Sequence, residues 1–238
     1  MQLNSKFVIY QLACLSTLLA ACFIFYPTAI TFHERWDASH ESYSHGYYIV
    51  VGALILAILN IKKIAKITIQ PSPFSLLALL SCTTLWLLGN IVDVRIVQQL
   101  ALPAIGLTLV SSLWGSIIAK AVFFPFIIIY TVIPVWDFLN PSLQAITVAV
   151  CSFALDIAQI PAFIDGNFIT ITAGTFQVAS GCSGLSYLLM SVTLAMVYSH
   201  LYYDKIHKKL LLLTLSIGVG LICNWTRVFT IIVIGDYT

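Results

Sequence analysis

The chain has 238 residues, of which 60% are apolar and 8% charged, with a net charge of +2. Soluble domains carry about a quarter charged residues, so this chain cannot cover a water-facing surface with charge, and a soluble globular fold is excluded. No Walker A run, dinucleotide fingerprint or CxxC pair occurs, and no basic run suits nucleic acid, so nucleotide-dependent and nucleic-acid-binding classes fall away as well.

The apolar residues instead fall in blocks near the roughly 20 residues needed to cross hydrocarbon. The fold class expected is an all-α polytopic membrane protein, with about seven or eight apolar helical segments in one integral membrane domain over 1–238. The first span is expected over Phe7–Ile30, too long for the roughly 7–15 apolar residues of a signal peptide. A polar loop follows, Thr31–Gly46, with the sequence TFHERWDASHESYSHG. Tyr47–Ile61 is a second, short block, followed by Lys62, Lys63 and Lys66 and a Pro71-Ser72-Pro73 break. Phe74–Asn90, Ile96–Ile118 and Ala121–Phe138 are the next three blocks, the last two parted at Lys120. Asn140-Pro141 reads as a break before Ser142–Ile160, which carries Gln144, Asp156 and Gln159. The segment 162–181 reads as non-membrane. Phe168–Thr172 and Thr175–Val178 alternate apolar and polar around Ala173-Gly174, a small extracytoplasmic β-hairpin by pattern. Leu185–Tyr203 and Leu210–Gly235 are the final spans, joined by the basic turn Asp204–Lys209; together with the residues before them they form a cysteine and arginine helix pair over 182–235.

Lysine placement orients these blocks. Lys62, Lys63 and Lys66, and again Lys205, Lys208 and Lys209, should be cytoplasmic. This puts the N-terminus inside, and the His-rich loop and Cys182 outside. Five apolar blocks separate the two basic stretches, yet an odd number of crossings cannot return to one side. One block must therefore fail to cross. Ser142–Ile160 is the candidate, as a re-entrant or interfacial helix, because of its carboxylate and two glutamines.

Of six cysteines, Cys14, Cys22, Cys82 and Cys151 lie in apolar runs and read as small buried hydrophobes; Cys223 also lies in an apolar run. Cys182 differs, standing in SGCSG at a membrane boundary. Ser183 is an N-cap residue type, so the thiol is expected at a helix N-terminus, where the dipole favours thiolate. The alternative is a small-residue turn with an incidental cysteine. Arg227 lies inside the last apolar span, where an arginine costs on the order of 2.5–3.5 kcal/mol and usually lines a functional cavity. From the shared cytoplasmic turn, Arg227 is about 27 Å and Cys182 about 34 Å up adjacent helices at 1.5 Å per residue, so both are expected near the outer face. A guanidinium there can stabilise a thiolate or an oxyanion. Asn224, three residues earlier on the same face, can orient Arg227, line the site or simply pack. His200 and His207 lie too far toward the cytoplasm to serve Cys182. His33, His40 and His45 are on its side, and His45 is a supporting candidate.

The ordered pieces PAFIDGNFITITAGTFQVASGCSGLSYLL, a basic turn and NWTRV, with YSHG and Trp36 upstream, resemble the exosortases, most closely those of exosortase A type. The resemblance covers most of the chain. It implies a multi-pass inner-membrane cysteine protease or transpeptidase with its site facing the periplasm. Its substrates would be membrane-anchored proteins whose C-terminal sorting signal holds a Pro-Glu-Pro motif, a transmembrane helix and a basic tail; such enzymes often accompany exopolysaccharide genes. By this resemblance Cys182 would form an acyl-thioester and Arg227 would act as proton donor or oxyanion stabiliser. No cofactor or metal is implied, and the partners are the substrate proteins and the bilayer, not nucleic acid. The family's third core residue is a histidine beyond the arginine, whereas no histidine follows His207 here. A sequence truncated at its C-terminus is expected, with inactivity or substitution by His45 as alternatives.

Two readings from other classes compete. Asp156 and Arg227 would form a polar path in a transporter or channel. A metal-dependent enzyme would use His33, Asp37, His40 and His45. The spacing of His40-Glu41 to His45 is one residue longer than HExxH, so the two histidines would not face one metal.

Overall fold

The computed structural model describes residues 5–38, 42–60, 64 and 67–236. The protein is an all-α polytopic membrane protein with one small sheet. Six helical stretches among the described residues are long and apolar enough to cross a membrane, and two shorter ones span Gly46–Leu59 and Ser116–Val132. The backbone contacts divide the chain into two units, one of Met1–Asp37 and Tyr47–Ile133, the other of Ala38–Gly46 and Pro134–Thr238. The lysines at 62, 63 and 66, and His40, lie outside the described residues.

The first unit begins with α1 (Ser5–Asp37), which carries Pro27 inside it. The expected loop from Thr31 is helical as far as Asp37. The polar residues change which face is wet but supply no breaker. Helix α2 is Gly46–Leu59, α3 is Pro73–Ile91, α4 is Arg95–Trp114 and α5 is Ser116–Ile129. The break between α4 and α5 falls at Gly115, not at Lys120. Gly115 has φ +104°, and the Gln70 carbonyl occupies the place where a Cβ would sit, so only glycine fits. Lys120 stays inside α5 with its side chain exposed. Buried polar side chains tie α1, α3 and α4 together. Trp86 Nε1 donates to Thr28 Oγ1 at 2.9 Å, Thr28 Oγ1 donates to Gln98 Oε1 at 3.3 Å, and Gln99 Nε2 donates to Thr31 Oγ1 at 2.8 Å. Such interhelical bonds substitute for water inside a bilayer.

The second unit opens with the 3-10 stretch Pro134–Leu139, followed by α6 (Asn140–Ile157). The predicted hairpin is present as β2 (Phe168–Ile171) and β3 (Gly174–Gln177), joined by a third strand, β1 (Phe163–Asp165). The order is β1-β2-β3, antiparallel throughout, with Ile164 opposite Ile169 and Ile169 opposite Phe176. Those residues and Ile171 share one face of the pleat. That face packs with Val148, Leu155, Val178, Val228 and Ile232 as the core of the unit. A 3-10 turn, Ser180–Cys182, then leads into α7 (Leu185–Tyr202), and α8 (Ile206–Asp236) closes the chain.

Helices α7 and α8 run side by side and antiparallel from their short connection. At Gly220 of α8 a Cβ would stand 2.5 Å from Ser191 Oγ and 2.9 Å from the Tyr187 carbonyl, both on α7. Four residues on, Asn224 reaches the Cys182 carbonyl. Further out, Gly235 lies against the Phe176 ring. Helix α6 does not follow this pair along its length. Its first residue, Asn140, bonds Ser183; Thr147 also bonds Ser183; Cys151 lies by the Trp225 carbonyl; and Leu155 packs among the sheet residues. The stretch 134–157 is among those long and apolar enough to cross a membrane.

Candidate active site

Cys182 ends the 3-10 turn that follows the sheet. Its N–H donates to the Ala179 carbonyl at 2.9 Å, and the Ser183 N–H donates to the Ser180 carbonyl at 3.1 Å. The expectation that Ser183 caps α7 needs correction. The N-cap is Gly184, at φ 100° in the left-handed region, so the cysteine lies two residues before the cap and not in the helix. The glycine makes the sharp entry to α7 that a residue with a Cβ resists. Ser183 is fully buried. Its Oγ donates to Asn140 Oδ1 at 2.7 Å and accepts the Leu185 N–H at 3.3 Å. It therefore still satisfies one free amide of the helix start, but from inside the fold and not as part of a substrate-facing surface.

Asn224 is also fully buried. Its Nδ2 donates to the Cys182 carbonyl at 3.0 Å, while Oδ1 has no hydrogen-bond partner among the described residues. This bond joins the cysteine turn to α8. Arg227 is one turn further along that helix. Its guanidinium carbon is 6.0 Å from the centroid of the Tyr187 ring, on the first turn of α7. Within that range the ring quadrupole attracts a cation. The side chain is exposed. Cys182 is thus tied to α8 through Asn224, and Arg227 stands one turn beyond on the same helix, beside the first turn of α7.

Asp156 is exposed on the last turn of α6, and no ion pair links it to Arg227 among the described residues. His33 bonds the Tyr47 hydroxyl through Nδ1 and is exposed. Among the described residues no three His, Cys, Asp or Glu side chains gather as a metal set. His45 is different. It is 3% exposed, its Nε2 has no partner among the described residues, and it belongs to the same unit as Cys182. Burial pushes its imidazole below the ordinary histidine range, because taking the charged form out of water is costly. Burial therefore favours its neutral form over the charged one.

The sequence reading missed Asn140, Gln144 and Thr147, which reach the cysteine turn from α6. Gln144 Nε2 donates to the Val178 carbonyl at 3.1 Å, and Thr147 Oγ1 donates to the Ser183 carbonyl at 3.1 Å. A signal was available: polar residues at i, i+4 and i+7 share one helix face. Reading Asn140-Pro141 as a break hid it, because proline stands in the first turn of α6 and starts that helix.

A comparison with protein-family models matches residues 36–238 to the transmembrane exosortases. No curated protein and no solved structure matches the chain. The matched residues take in the entire unit built around Cys182 and Arg227 and most of the other. The chain belongs to the transmembrane exosortase family.

Proposed function

We propose that this protein is a membrane-embedded cysteine transpeptidase. It cleaves the C-terminal sorting signals of exported, membrane-anchored proteins at the outer face of the bacterial inner membrane. The family supports a membrane transpeptidase role in general. The observation that carries the residue assignment is the Asn224 Nδ2 bond to the Cys182 carbonyl, with Arg227 one turn beyond it. On this reading the Cys182 thiolate attacks the scissile carbonyl carbon, and the C–N bond then breaks to leave an acyl-thioester and a free amine. The guanidinium of Arg227 stabilises the oxyanion formed in between. It is not the proton donor, because an arginine does not deprotonate in proteins. The thiol proton passes to a base and from it to the leaving amine; His45, buried in the same unit, is the candidate for that base. An amine acceptor or water then resolves the thioester. On this reading the basic turn Asp204–Lys209 faces the cytoplasm and the Cys182 turn, at the other end of α7, faces the periplasm.

The test uses a membrane-anchored reporter carrying a sorting signal, followed by gel shift. Cys182→Ala is expected to abolish processing, and Asp156→Asn to leave it within about twofold, the range of surface changes away from the chemistry. Processing that survives Cys182→Ala but is lost in Asp156→Asn would reject the enzyme reading in favour of a polar conduction path.

A further inference from the structure

We propose that α6 aims the Cys182 thiol, with Asn140 and Thr147 as positioning residues that act through Ser183; this rests on reading Cys182 as the nucleophile. The residue after the cysteine is held from three directions. Its hydroxyl donates to Asn140 Oδ1 at 2.7 Å and accepts the Leu185 N–H at 3.3 Å, and its carbonyl accepts from Thr147 Oγ1 at 3.1 Å. Ser183 and Thr147 are fully buried, so no water competes for these bonds. The carbonyl of Cys182 itself is held by Asn224 from α8, and that of Val178 by Gln144 from α6. Asn140 and Thr147 are seven residues apart, two turns on one face, and they grip the side chain and the main chain of the same serine. Gly184, left-handed at φ 100°, follows directly. A cysteine in a short turn next to a glycine would otherwise sample several main-chain orientations. Bracing its C-terminal neighbour fixes the direction of its Cα–Cβ bond, and a misplacement of about 1 Å at a reacting atom can cost a hundredfold in rate.

The experiment uses the full chain in detergent, with Cys182 retained and the other five cysteines replaced by alanine. Two readouts are taken: the pH–rate curve for alkylation of Cys182 by iodoacetamide, and kcat and KM on a sorting-signal peptide. Asn140→Leu and Thr147→Val are expected to lower kcat at least about tenfold, equivalent to about 1.4 kcal/mol, with KM within about twofold, and to alter the alkylation curve. Thr147→Ser, which keeps the hydroxyl, is expected to restore both. Thr147→Val is nearly isosteric and serves where Asn140→Leu fails to fold. Loss of thermal stability in the Leu and Val variants with alkylation and kcat unchanged would overturn the proposal, leaving these bonds a packing role only. The alkylation arm needs no substrate. If Cys182→Ala still processes the reporter, the functional reading fails separately from the positioning one.

Discussion

Arg227→Ala is expected to lower kcat for sorting-signal processing by roughly 10²–10³-fold, the usual cost of removing one oxyanion donor, and to leave the protein folded. The side chain is exposed and its described contact is the Tyr187 ring, so little packing is lost with it. A cation kept within an apolar helix is costly unless it is used, and removing it should if anything help insertion. Arg227→Lys is expected to recover only part of the loss. An ammonium carries the charge but not the planar fork that can give two bonds to one developing oxyanion. Single-turnover kinetics on a peptide substrate, with thermal melting as the fold control, checks both variants. Wild-type kcat in Arg227→Ala would remove the guanidinium from the chemistry and reduce it to a partner of Tyr187.

Gly184→Ala is expected to have the second large effect, and here the fold itself is hit. At φ 100° an alanine is strained on the order of 1–3 kcal/mol. Its Cβ would stand 2.9 Å from Asn224 Nδ2 and 3.1 Å from the amide carbon. The amide that must give way is the one bonded to the Cys182 carbonyl. Strain and loss of the brace therefore fall together, and processing should drop with stability. The two costs can be separated in a double-mutant cycle. Asn224→Ala removes the amide that the new methyl strikes, so Gly184→Ala should cost less in that background than in the native one. Equal costs in both backgrounds, read from thermal midpoints, would show that the methyl does not meet Asn224.

These two positions also show what was legible in the sequence. The side-by-side pairing of α7 and α8 could be derived because one short turn joins two long helices. The hairpin could be read because β2 and β3 alternate with period two. Strand β1 was invisible: Phe163–Asp165 is three residues long, and its place comes from pairing with β2. The break between α4 and α5 was misplaced because lysine in an apolar run looks like an interruption. A long aliphatic stem can lie along an apolar surface with its charge turned outward, whereas the backbone at Gly115 cannot be built with another residue. Ser183 has the chemistry of a cap, and its hydroxyl does take a helix-start amide. What sequence alone could not tell is that Gly184 intervenes and that Asn140, 43 residues away, takes the other end of the same hydroxyl. Partners that far apart in the chain are fixed by tertiary packing, which no local pattern encodes.

The chemistry of the Cys182 sulfur is tested most directly by acid-quenched peptide mapping of the protein with a sorting-signal peptide. The expected result is a mass adduct of the peptide's N-terminal fragment on Cys182, released by hydroxylamine as a thioester would be, and absent in Cys182→Ala. Processing that continues in Cys182→Ala, or an acyl adduct carried by any other residue, would contradict it.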